Sequence, residues 1–176
     1  MTTASKITLV RVALIPVFMV LLLLGWNYWA FGVFVLASVT DFIDGYVARH
    51  YNQVSDFGKF VDPLADKMLV ISCMVIFVEY GRFPAWACMV VLAREFAVTG
   101  LRLIAVENGR VIAAGWSGKV KTFCTMVGLC VMLVLTKWPV LDLVVMIVIV
   151  VTTLYSGAEY FIKNWDVLGL SKKAQS

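Results

Sequence analysis

Residues 139–162 read Pro139-Val-Leu-Asp-Leu-Val-Val-Met-Ile-Val-Ile-Val-Val-Thr-Thr-Leu-Tyr-Ser-Gly-Ala-Glu-Tyr-Phe-Ile162. About 20 predominantly apolar residues are what a helix needs to cross the hydrocarbon of a bilayer, and this run supplies them. Working outward from it, five further runs of similar length stand at 7–25, 28–48, 61–80, 84–106 and 118–136. Together they cover most of the chain, so the connections are short and the expected fold is an all-α membrane protein of six transmembrane helices. Composition agrees. Of 176 residues, 62% are apolar and only 15% charged, with a mean hydropathy of +0.93; soluble domains run near half apolar and a quarter charged. That excludes disorder, collagen-like structure and an ordinary cytosolic domain. No repeat or linker divides the chain, which reads as one domain over 1–176. The first run, preceded by Lys6 and containing Arg11, has no small-residue cleavage site after it and reads as a retained helix.

Six spans place both termini on one side. All Lys and Arg residues except Arg82 and Lys137 fall toward that side, and the positive-inside bias makes it the cytoplasm. Trp26, Tyr28, Trp29, Trp86 and Trp138 gather near the opposite boundary, as interfacial anchors do. The net charge of +4 is small and its basic residues are spread, which speaks against nucleic acid as a partner. Cys73, Cys88, Cys124 and Cys130 lie in apolar runs without C-x-x-C spacing and read as soft packing. A single histidine, His50, leaves little room for His-based metal or triad chemistry.

The acids are the anomaly. The stretch Asp41-Phe-Ile-Asp44-Gly45-Tyr-Val-Ala48-Arg49 is followed, after eight residues, by Gly58-Lys-Phe-Val-Asp62-Pro-Leu-Ala-Asp66. Ionised groups at membrane depth are costly and by default mark a site facing the bundle interior. Asp41 and Asp44 are i,i+3 and Asp62 and Asp66 are i,i+4, so each pair shares a helix face. One pair ends the second span, the other opens the third, and a short cytoplasmic turn joins them. Four converging carboxylates repel unless something cationic sits between them. With only oxygen ligands at hand, hard divalent cations fit, and two such ions suit displacement at a phosphate. Gly45, Ala48 and Gly58 keep the same region open to close approach, and Arg49 offers a fork to a phosphate. Taken singly, each residue has a structural explanation: Asp62-Pro63 makes a good N-cap and first-turn proline. The whole pattern does not.

The run D-x2-D-G-x2-A-R-x8-G-x3-D-x3-D resembles the signature of the CDP-alcohol phosphatidyltransferases, with every fixed position filled. The resemblance implies six transmembrane helices, a homodimer, and a cytoplasm-facing cavity for a CDP-linked lipid, CDP-diacylglycerol. It implies that Asp41, Asp44 and Asp62 hold one Mg or Mn ion and that Asp62 and Asp66 share a second. It makes Asp66 the base for the acceptor alcohol, and Gly45, Ala48, Arg49 and Gly58 the cradle of the CDP moiety. A carboxylate that holds a metal ion is a weaker base, so the two roles implied for Asp66 pull against each other.

The acceptor has to be read elsewhere, and a phosphorylated one needs cations. Arg94 and Arg102 project from nearly one face of the fourth span, and Lys119 and Lys121 open the fifth. Arg94 lies mid-span and needs a partner. Adjacent helical residues do not face one another, so Glu95 is expected to pair with some other basic side chain. Ala93-Arg94-Glu95-Phe-Ala-Val-Thr99-Gly100-Leu101-Arg102 and Val111-Ile-Ala-Ala114 running into Gly118-Lys119-Val-Lys121-Thr122 resemble the phosphatidylglycerophosphate synthase branch, as does the opening Ile7-Thr8-Leu9-Val10-Arg11. That branch implies sn-glycerol 3-phosphate as acceptor, with Arg94, Arg102, Lys119 and Lys121 for its phosphate. Ala4-Ser5 and Thr125 depart from the branch, which often has Pro-Asn and Gln there.

Three other readings are weighed. A cardiolipin synthase shares the signature but uses phosphatidylglycerol, which has no phosphate monoester. A divalent-cation transporter needs a midplane site and broken or repeated spans, neither of which is visible. A scaffold has no use for buried negative charge. The expected location is a bacterial inner membrane, crossed several times. There Lys163, Lys172 and Lys173 and the cytoplasmic face touch anionic membrane lipids.

Overall fold

The computed structural model describes residues 3–51, 56–107, 109, 112 and 115–165, with side chains described for 10–40, 67–106, 109, 112 and 115–165. Six α-helices stand among these residues and no strand does: α1 (Thr3–Leu23), α2 (Asn27–Tyr51), α3 (Asp56–Glu79), α4 (Ala85–Glu107), α5 (Trp116–Val134) and α6 (Pro139–Lys163). They coincide with the six apolar runs to within a few residues. The widest difference is the start of α3, five residues ahead of the run, because the polar turns carrying Gly58 are helical too. The tail lysines Lys172 and Lys173, and Arg110, lie outside the described residues.

The contacts divide the chain into two compact units, one of residues 1–82 with 129–138, the other of 83–128 with 139–176. In the first, α1 packs against both α2 and α3. Ile15, Phe18 and Leu22 of α1 meet Ala30, Phe34 and Ala37 of α2 and Leu69, Cys73, Ile76 and Phe77 of α3 in a buried core. The i, i+3/i+4, i+7 recurrence is the mark of one helical face turned inward. The Phe18 and Phe34 rings lie 5.6 Å apart, tilted. Cys73 and Cys88 are buried free thiols, in keeping with their apolar surroundings.

The ends of these helices are closed by their own sequence. Gly25 and Gly81 take φ of 76° and 67°, a conformation costly for residues with a Cβ. At each, paired amides fold back in a Schellman closure: Gly25 N to Leu22 O and Trp26 N to Leu21 O, then Gly81 N to Val78 O and Arg82 N to Phe77 O. Tyr80 Oη donates to Leu22 O at 2.8 Å. Arg82 donates to Met132 O at 2.8 Å and Leu135 O at 2.9 Å, closing the end of α5 while its guanidinium stacks 5.0 Å from the Phe77 centroid. A cation on C-terminal carbonyls satisfies orphan acceptors and opposes the helix dipole. Arg82→Ala is therefore expected to destabilise the protein by about 2 kcal/mol, read as earlier thermal unfolding in detergent, with Arg82→Lys recovering part of the loss.

In the second unit α4 runs along α6, with Val98, Leu101 and Tyr160 buried together and Ile112 and Phe161 packed against them. The distribution of polarity here is the reverse of a soluble protein's. On α6 the exposed residues include Val140, Leu143, Val144, Ile147, Val148, Val151 and Leu154, while Asp142, Thr153 and Ser156 are buried. Apolar outside and polar inside is the arrangement a lipid solvent demands. The helices Trp116–Val134 and Pro139–Lys163 are long and apolar enough to cross a membrane, and Val10–Leu23 and Asn27–Thr40 form shorter apolar stretches. The protein is thus all-helical with a membrane-type surface. α4 is less apolar overall because Arg94, Glu95 and Arg102 interrupt it.

Candidate active site

The two carboxylate pairs sit on matching turns. α2 ends at Tyr51 and α3 begins at Asp56. At 1.5 Å per residue, Asp41 lies about 15 Å and Asp44 about 10 Å back from the end of α2. Asp62 lies about 9 Å and Asp66 about 15 Å beyond the start of α3. Both helices belong to the first unit and touch each other. The inner pair Asp44 and Asp62 and the outer pair Asp41 and Asp66 thus come at similar depths from the same connection. Gly45, Ala48, Arg49 and Gly58 stand on the intervening turns, nearer the connection. The side chains of these eight residues lie outside the described ones, so their placement here is one of helical position alone.

The basic cluster is described atom by atom within the second unit. Glu95, on α4, is its centre. One of its carboxylate oxygens accepts both from Arg94 Nη1 at 2.9 Å and from Lys121 Nζ at 2.7 Å. Arg94 Nη2 donates to Ser156 Oγ of α6 at 2.5 Å. The arginine runs through a slot that two glycines leave open: a Cβ on Gly157 would stand 3.2 Å from Arg94 Cγ, and one on Gly118 would stand 3.7 Å from Nη2. Lys121 is 5% exposed. Thr125, one turn on, gives its hydroxyl to Lys121 O at 2.9 Å. Buried charges persist only when paired and hydrogen-bonded, and here three helices supply the partners. Toward the end of α4, Arg102 Nε donates to Tyr160 Oη at 3.0 Å, with its guanidinium 5.4 Å from that ring's centroid.

The expected pairing of Glu95 with a further basic side chain is met by Lys121, and Lys119 stands apart from the cluster. Arg94 and Glu95 are sequence neighbours and do bond, because the long guanidinium curls back to the carboxylate. Lys119 is exposed, and its Nζ lies 5.5 Å from the Trp116 centroid. Two positions apart on a helix is about 200° of rotation, so Lys119 and Lys121 cannot share a face. Ser156, Tyr160 and Gly157 went unnoticed in the sequence, where their only signal was being polar or small inside the apolar run of α6.

The chain thus carries four aspartates on α2 and α3 and, on α4 and α5, buried guanidinium and ammonium groups held by Glu95 and Ser156. The family model of the CDP-alcohol phosphatidyltransferases matches residues 1–155, and the chain belongs to that family. It is 41% identical to the CDP-diacylglycerol–glycerol-3-phosphate 3-phosphatidyltransferase of Bacillus subtilis, covering 95% of this chain and 97% of that protein. It is 37% identical to a "Probable phosphatidylglycerophosphate synthase" of Mycobacterium tuberculosis, over 97% of this chain and 86% of that one. A third relative, from Rickettsia bellii and bearing the same name as the Bacillus protein, is 35% identical over 89% and 92% of the two chains.

Proposed function

We infer that this chain, as one catalytic domain over 1–176, is a CDP-diacylglycerol–glycerol-3-phosphate 3-phosphatidyltransferase. It moves a phosphatidyl group from CDP-diacylglycerol to sn-glycerol 3-phosphate, yielding phosphatidylglycerophosphate and CMP. The observation that carries this is likeness over nearly the whole length to relatives of that name, with the complete carboxylate signature in place.

Asp41, Asp44, Asp62 and Asp66 are an all-oxygen donor set on two adjoining helices, chemistry that suits hard divalent ions; they would hold two Mg or Mn ions, which would neutralise the diphosphate and the charge that develops on it. Gly45, Ala48 and Gly58 leave room for the CDP moiety and Arg49 pairs with its phosphate. Asp66 takes the proton of the acceptor hydroxyl. The hydroxyl oxygen then bonds to the lipid-side phosphorus, and the bond from that phosphorus to the CMP oxygen breaks. Arg94, Arg102 and Lys121 hold the acceptor's phosphate monoester and so orient its hydroxyl. Among the described residues the buried Nε–H of Arg94 has no acceptor, which leaves one donor of a fixed guanidinium for an anion oxygen. Lys119, at the exposed start of α5, assists capture rather than seating.

The six helices are six spans, with both termini and the active site on the cytoplasmic side of a bacterial inner membrane, and two chains pair as a homodimer. Purified protein with CDP-diacylglycerol and Mg is expected to release CMP with glycerol 3-phosphate and not with phosphatidylglycerol, inositol phosphate or serine. Release with phosphatidylglycerol instead identifies a cardiolipin synthase and removes the role given to the basic cluster. Arg102→Ala is expected to raise the apparent KM for glycerol 3-phosphate by about tenfold, the value of one charge-assisted contact, with the KM for CDP-diacylglycerol unmoved.

A further inference from the structure

The reaction leaves the acceptor's phosphate monoester untouched. Substrate and product therefore present the same dianion to the same cations, and whatever tightens capture of one slows escape of the other. A site of buried cations alone would retain its product. Arg94 and Lys121 are not alone: both are bonded to one oxygen of Glu95, on the same helix as Arg94 and 26 residues from Lys121. Glu95 is about as buried as Arg94, with side-chain exposures of 16% and 13%, so solvent screens the trio weakly.

We propose that Glu95 is an exchange counter-ion, a positioning residue that binds Arg94 and Lys121 between turnovers, cedes them to the acceptor's phosphate, and reclaims them so that the phosphorylated product leaves. The proposal rests on the reading of this cluster as the acceptor-phosphate site. Ser156 keeps the guanidinium in place during the exchange, since its bond uses Nη2 and the carboxylate uses Nη1. Gly157 lies against the aliphatic stem and Gly118 against the guanidinium. The arginine can thus trade one anion for another without changing its course through the helices.

The test is inhibition of CMP release by inorganic phosphate in competition with glycerol 3-phosphate, using the full chain in mixed micelles. Removing the internal competitor lets phosphate bind more tightly. Glu95→Gln is expected to lower both the inhibition constant for phosphate and the KM for glycerol 3-phosphate by at least about fivefold, since about fivefold is the effect of one unit charge some 4 Å away even in bulk water and this trio is less well screened. Its kcat falls with them, because product release slows, and the KM for CDP-diacylglycerol stays put. Glu95→Asp, which keeps the charge, returns the inhibition constant to within about twofold of wild type. A residue that merely holds the fold gives the opposite sign: a raised KM and weaker phosphate inhibition in Glu95→Gln, and that result overturns the proposal, as does an unchanged inhibition constant.

If Glu95→Gln alone does not accumulate, Glu95→Gln with Lys121→Met removes the pair together and leaves no stranded buried ammonium. The double variant is expected to bind phosphate about threefold more tightly than Lys121→Met alone, because Arg94 is released; equal or weaker binding refutes the exchange. Lys121→Met itself separates the two levels of inference. If it leaves the KM for glycerol 3-phosphate unchanged, the cluster is not the acceptor site and the reading beneath the proposal has failed. If it raises that KM while Glu95→Gln does not lower it, only the exchange role has failed.

Discussion

Asp66→Asn is expected to lower the rate of CMP release by at least about a thousandfold, because a general base contributes 10²–10⁴ and the proposed mechanism gives the same carboxylate a share of a metal ion. The substitution is nearly isosteric and removes a negative charge from a group of four, so it relieves repulsion in the folded state. The fold is therefore expected to survive, and the thermal transition in metal-free buffer to rise or hold. The loss is expected in kcat rather than in the KM for glycerol 3-phosphate, since the proposed seat of the acceptor's phosphate is on α4 and α5 and not on α3. A KM effect with kcat preserved points instead to a role in binding. Near-normal turnover by Asp66→Asn contradicts both the base and the ligand assignment. Asp41→Asn is a useful companion, because it touches a metal ligand without touching the base.

The second large effect is that of metal removal. EDTA is expected to abolish CMP release, and Mg or Mn in excess to restore it. Activity by itself does not locate the ions, so stability carries the assignment. A ligand that binds only the folded state at a hundred times its dissociation constant stabilises by about 2.7 kcal/mol. Wild-type protein is expected to unfold several degrees lower in EDTA than in Mg. The shift shrinks in Asp62→Asn, the carboxylate assigned to both ions, and persists in Arg102→Ala. An equal shift in all three places the metal away from the signature.

Much of this protein is local in its sequence. The helices were legible because about 20 apolar residues between turn residues admit one outcome in lipid, where every backbone amide must be bonded within its own segment. The carboxylate pairs were legible because i,i+3 and i,i+4 spacing is a property of a single helix. Gly25 and Gly81 end helices by a conformation that side chains disfavour. None of these needs a distant residue.

The rest is decided by which faces meet. Arg94 and Arg102 were visible as cations in an apolar run, but their partners Ser156 and Tyr160 lie 62 and 58 residues away. Lys119 and Lys121 looked equivalent along the chain. A separation of two residues turns them to opposite sides of α5, but which of them meets Glu95 is decided by where α4 stands. Arg82 was read, with Lys137, only as a charge toward the far side, and is the group that closes α5, across about 50 residues of chain. Sequence by itself determined the elements, the spacing of the carboxylates and the family. Tertiary structure alone decided which charges compensate one another. In a medium of low dielectric an ion pair depends on a few ångströms between helices, and that distance is written in the packing rather than in any one segment.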